Sequence, residues 1–142
     1  MVTRFYDIDA ANETLPEVER ILLDLRDQRA ELIRLRDAVL QAAAPADNDP
    51  GAAPAPGAAP SDETARLRLR MQGLIDQMQA GVSRLVERDV TLREIEAGLI
   101  DFPAMANGRP IWLCWRLGEG DVEWWHEHGD GFAGRRRLED LT

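Results

Sequence analysis

Both histidines, the single cysteine and all four tryptophans of this 142-residue chain fall between Trp112 and His128. Chemistry that needs an imidazole or a thiol is therefore confined to the C-terminal third. The residues there that could take part are Asp101, Cys114, Arg116, Glu119, Glu123, His126, Glu127, His128 and Arg135. His126 with the carboxylates of Glu127 and Asp101 is a ligand set for zinc, manganese or non-haem iron. Such an ion would support a metal-dependent, hydrolase-like reaction, with Arg116 or Arg135 gripping an anionic substrate. His126 and His128 are two apart and share a face of any strand that contains them. Cys114 could act as a nucleophile with His126 as its base, although a small packing residue is the simpler role for a cysteine in a Trp-rich strand. Asp101 with Glu123 or Glu127 could form an acid–base pair; beside Arg116 the simpler reading is a cross-strand ion pair.

These residues need a scaffold, and the chain supplies three pieces. Thr14-Leu-Pro-Glu17 reads as a capping box with Pro16 in the first turn, and Asp7 offers an earlier start near Ile8. Val18, Ile21, Leu25, Gln28, Leu32, Leu35 and Val39 then keep a three-four spacing, widened by Leu22, Ile33 and Leu40, which predicts a helix over 8–44 interrupted only by Gln28. Positions 42–60 hold nine Ala, five Pro and two Gly, a composition that predicts a disordered linker. A second helix over 61–89 is signalled by Asp62 and Glu63 and by the stripe Leu67, Met71, Leu74, Met78, Val82 and Leu85.

Over 90–142 the pattern turns to strands. Asn107-Gly108 between two apolar runs predicts a two-residue hairpin, because both central residues of a type I′ turn need positive φ. Pairing Ala106 with Arg109 sets Ala104 opposite Ile111, Phe102 opposite Leu113 and Ile100 opposite Trp115 on one apolar face. The other face then holds Asp101 opposite Cys114 and Leu99 opposite Arg116. A second turn at Gly118–Asp121 would pair Trp115 with Trp124 and Arg116 with Glu123. In that register His126 points to the apolar side, the place of a hydrogen-bonded structural histidine.

Composition narrows the function. A net charge of −9, and eleven acids against six Arg over the last 54 residues, argue against nucleic acid even though Trp112, Trp124 and Trp125 stand near Arg135–Arg137. No apolar run is long enough for a membrane span. The first residues lack a secretory pattern and the lone cysteine forms no internal disulfide, so a cytoplasmic location is the expectation. Gly131-Phe-Ala-Gly-Arg135 could hold an anion through its backbone or simply turn the chain while tucking Phe132 into the core.

Four phrases occur together in this part of the chain: Gly98-Leu-Ile-Asp-Phe-Pro-Ala104, Leu113-Cys-Trp-Arg-Leu-Gly-Glu119, Trp125-His-Glu127 and Gly131-Phe-Ala-Gly-Arg135. In this order, behind a helix carrying Asn12 and Leu15-Pro16, they resemble the uncharacterised prokaryotic family called domain of unknown function 2203. The resemblance implies a small soluble protein without an assigned activity. It places Asp101, Cys114, Arg116, Glu119, His126, Glu127 and Arg135 in the shared pattern and leaves His128 out, and it implies that the Ala/Pro linker is longer than usual.

The resulting expectation is an α+β single domain over 1–142: a long antiparallel helical hairpin with a small C-terminal antiparallel β-meander packed on it. The helices would act as a coiled-coil-like oligomerisation surface, giving a homodimer, since they carry more apolar stripe than one meander can cover. The leading functional expectation is a non-enzymatic assembly module whose Trp-rich sheet presents Asp101, Arg116, His126 and Glu127 to a protein partner. The alternative is the metal-dependent enzyme.

Overall fold

The computed structural model describes residues 4–42 and 61–141. Two helices, α1 (Ile8–Ala42) and α2 (Asp62–Glu87), pack against each other. Five strands follow: β1 (Thr91–Glu94), β2 (Leu99–Ala106), β3 (Arg109–Arg116), β4 (Trp124–Glu127) and β5 (Arg136–Arg137). They form one antiparallel sheet in chain order, so the architecture is α+β, with five strands where the sequence suggested three. The expected linker falls, after Ala42, outside the described residues.

The start of α1 belongs to Asp7, not Thr14. Asp7 Oδ1 accepts from the Ala10 N–H at 2.7 Å, while Thr14 sits inside the helix with its hydroxyl donating to the Ala10 carbonyl at 2.9 Å. Pro16 is therefore an interior proline, which removes the donor that the Asn12 carbonyl would have met. The Asn12 side chain ties this part of the helix to the loop before β4: its Oδ1 accepts from the Val122 N–H at 2.7 Å. Ser61 caps α2 by accepting from the Thr64 N–H at 3.1 Å. The helix ends at Glu87, and Asp89, with φ of 57°, turns the chain toward β1.

The helices meet closely at Gly81, where a Cβ would come within 3.0 Å of the Leu25 side chain. Val18, Ile21, Leu22, Leu25 and Leu85 are buried with the inner face of the sheet in one core. Leu67, Met71, Leu74, Met78 and Val82 are only half-buried, and Leu40 and Leu69 are exposed. One sheet seals one end of the helical pair; the remaining stripe is left partly open.

The Asn-Gly turn has both residues in the left-handed region, φ 52° at Asn107 and 78° at Gly108, and the β2–β3 register is the one the sequence predicts from Ala106↔Arg109 to Leu99↔Arg116. Ile100, Phe102, Ala104, Ile111, Leu113 and Trp115 accordingly line the buried inner face. The β3–β4 register differs from expectation by one residue. Cys114 pairs with Trp124, Leu113 with Trp125, Trp112 with His126 and Ile111 with Glu127. The connection is a loop over 117–123 rather than a tight turn. Glu119 Oε1 accepts from the Arg116 N–H, the Trp115 indole N–H donates to the Gly120 carbonyl, and Val122 is held by Asn12. These fixings hold the loop in a shape other than the expected tight turn, and a one-residue change of register exchanges the faces of the whole strand.

Candidate functional site

That exchange sends Trp125 into the core and brings His126 to the outer face, beside Asp101 and Cys114. The expected inward-facing His126 is thus overturned. The three residues come from β4, β2 and β3 and are 3%, 2% and 1% exposed. Each offers a ligand-type atom, and these atoms lie within 4.8 Å of one another. They line a cavity of about 210 Å³ together with Arg93, His128, Asp130 and Phe132. Arg93 is brought in by an irregularity in β1 between Leu92 and Glu94.

The hydrogen bonding is specific. His126 Nδ1 lies 2.9 Å from the Glu127 carbonyl, and Nε2 lies 3.1 and 3.0 Å from the two Asp101 oxygens. Both ring nitrogens therefore face acceptors, whereas a neutral imidazole carries a single N–H. With Nδ1 donating to the carbonyl, a positive centre is needed between Nε2 and the carboxylate: a proton or a metal ion. A backbone carbonyl on one nitrogen is also the arrangement that aims the other at a metal. Arg93 Nε donates to Asp101 Oδ2 at 2.7 Å and fixes the carboxylate from the other side. Burial, and next the Asp101 charge, push the Cys114 thiol up to about 12.

This geometry corrects several expectations. Cys114 lacks a free base, since both His126 nitrogens are engaged, and a thiol held protonated is a poor nucleophile. Glu127 does not join Asp101 and His126; it pairs with Arg109 at 2.8 Å, which holds its carboxyl below the usual range. The expected Arg116 ion pairs are replaced by Arg93–Asp101, Arg109–Glu127 and Arg137–Glu123, while the Arg116 guanidinium lies 5.7 Å from the Phe132 ring. Arg135 is held by both Glu119 oxygens at 2.9 and 2.7 Å and packs over Trp124 and Phe132, so neither Arg135 nor Arg116 grips an anion in the cavity. Phe132 is 39% exposed rather than tucked into the core. His128 stacks on Trp112 with ring centroids 4.5 Å apart. Asp101 and His126 are too deeply buried to be presented to a protein partner.

Sequence reasoning missed Arg93. The four residues of β1 show no clean alternation, and the irregularity that aims Arg93 leaves no local pattern. Asp101 opposite Cys114 was legible, because the Asn-Gly turn fixes that pairing.

The donor set fits a metal ion. Asp101, Cys114 and His126 combine oxygen, sulfur and nitrogen, a mixture suited to zinc and poorly suited to magnesium or calcium. A family model described as "Uncharacterized conserved protein (DUF2203)" matches residues 4–138. No curated protein and no solved structure matches the chain.

Proposed function

We propose that this chain, which belongs to the DUF2203 family of uncharacterised conserved proteins, binds one divalent transition-metal ion, zinc by preference, through Asp101, Cys114 and His126, and serves as a metal-dependent hydrolase. The observation that supports this reading is the convergence of three buried ligand-type atoms within 4.8 Å of one another on a cavity wall. Structural zinc sites close with four protein ligands, whereas catalytic ones keep three and leave a position for water or substrate. Three ligands on a cavity match the second pattern. A bound ion supplies Lewis acidity and a water that ionises near neutral pH. The protein's own part is to hold Nε2 of His126 toward the ion by the Glu127 carbonyl, and to hold Asp101 in place through Arg93.

The test is the metal content of protein purified without an affinity tag, by mass spectrometry, in the wild type and in His126→Ala and Asp101→Asn. Close to one zinc per chain, lost in both variants, is the expected result. A metal-free wild type that also takes up no zinc on titration would overturn the proposal.

A second role concerns the helical pair. Leu40 and Leu69 are 63% and 75% exposed and the α2 stripe is half-buried, which favours self-association into a four-helix arrangement. Light scattering at micromolar concentration is expected to give twice the monomer mass; the mass of one chain would rule this role out.

A further inference from the structure

We infer that the substrate of this site is a small oxyanion, carrying a carboxylate or a phosphate, and that Arg93 is the residue that grips it. The inference rests on the metal reading above and adds a substrate class to it.

Arg93, Arg116, Arg135 and Arg137 come near the outer face of the sheet, and of these four Arg93 lines the cavity. One terminal amino group of Arg135 donates to both Glu119 oxygens, the guanidinium packs over the Trp124 and Phe132 rings at 4.3 and 4.6 Å, and Arg135, although its buried Nε has no partner among the described residues, does not line the cavity. The Arg116 guanidinium lies 5.7 Å from the Phe132 ring, and Arg116 does not line the cavity. Arg93 lines it, is 42% exposed, and uses only its Nε, which donates to Asp101 Oδ2. Among the described residues, neither of its terminal amino groups has a hydrogen-bond partner. The bond at Nε and the Trp112 ring, 5.0 Å from the guanidinium carbon, fix the plane of the group. What remains is the outer edge of a planar fork with its donors unspent, in the geometry that matches two oxygens of one carboxylate or phosphate.

A divalent ion with the Asp101 carboxylate and a Cys114 thiolate sums to zero, so the ion's charge is met by its own ligands. Asp130, an exposed carboxylate, also lines the cavity and balances the Arg93 charge, so the anion is selected by the unspent Arg93 donors rather than by net charge. A volume of about 210 Å³ is below the ~300 Å³ at which drug-sized pockets begin, which selects a small molecule or a small terminal group. The grip and the metal site share Asp101, so an oxyanion held by Arg93 stands next to the ion.

The experiment is calorimetric titration of the zinc-loaded full chain with inorganic phosphate and, separately, with acetate at constant ionic strength. Wild type is compared with Arg93→Lys and Arg93→Gln, with metal content measured on every sample. Expected is binding to the wild type that weakens about tenfold or more in both variants while one zinc per chain is retained, the loss of a charge-assisted bidentate contact. The same Arg93 dependence for both anions assigns the shared oxyanion chemistry, and dependence for phosphate alone narrows it to phosphoryl groups. Affinity unchanged in Arg93→Lys, or a zinc-loaded wild type that binds neither anion, overturns the inference and leaves the metal site standing. Loss of zinc in both variants makes Arg93 a support for Asp101 and overturns the grip. A wild type that binds no zinc overturns both readings together.

Discussion

The two faces of the sheet are built from alternate residues of the same strands, yet they obey different rules. The inner face, Ile100, Phe102, Leu113, Trp115 and Trp125, is an apolar surface against the helices, where any well-shaped hydrophobe contributes through the area it removes from water. The outer face buries Asp101, Cys114 and His126 almost as completely, but behind a loop and around a cavity. Burial on the inside needs only volume. On the outside each polar atom needs a named partner, because an unpaired buried polar group costs more than its bond contributes. One face holds the fold together and the other holds a chemistry.

Substitutions can break or sharpen this contrast. The largest effect is expected on the inside: Trp115→Ala should lower stability by about 3–5 kcal/mol in urea denaturation, the range for deleting a large buried aromatic. Asp101→Asn keeps the volume but weakens the partnership with His126 and Arg93, and about 1–3 kcal/mol is expected by the same measurement. A loss as large as that of Trp115→Ala would blur the distinction between the faces.

The Cys114 thiol gives a pH signature. In the metal-free protein its pKa is raised to about 12, so the folded state holds this proton more tightly than the unfolded chain does. The associated stability is complete below the ordinary thiol range of about 8.5 and is lost as pH rises from there toward the folded value. Cys114→Ala should flatten that alkaline decline, and iodoacetamide at pH 8 should modify metal-free Cys114 slowly until the protein unfolds. Rapid alkylation of the native protein would contradict this.

The smallest effect is expected at Glu127, whose carboxyl Arg109 holds below the usual range. Its contribution is present above that range and fades as pH falls through the lowered value. Glu127→Gln should shift acid unfolding slightly and leave zinc content unchanged, which separates Glu127 from its neighbour His126.

Legibility in the sequence followed the range of the interactions. Asn107-Gly108 is a local signal strong enough to set eight pairings, and the opposition of Asp101 and Cys114 follows from them by counting along the two strands. The face of His126 could not be reached in this way. It depends on a seven-position loop held partly by Asn12, and a spacing rule applied to Gly118–Asp121 sees nothing of a residue far away in the chain. Arg93 was hidden for a related reason: a bulge breaks the alternation by which an inward or outward residue is recognised. The same register change carries Glu127 to the face of Ile111 and within reach of Arg109, away from His126.

The hydrogen bond from Val122 to Asn12 joins the first helix to the loop that precedes β4. A fragment beginning at α2 would keep Asp101, Cys114 and His126 and would lose the fastening that helps aim one of them. The helical hairpin is then part of the site's alignment as well as a platform beneath it, and a shortened version of this chain would need a new anchor for that loop before its three ligand-type side chains could meet.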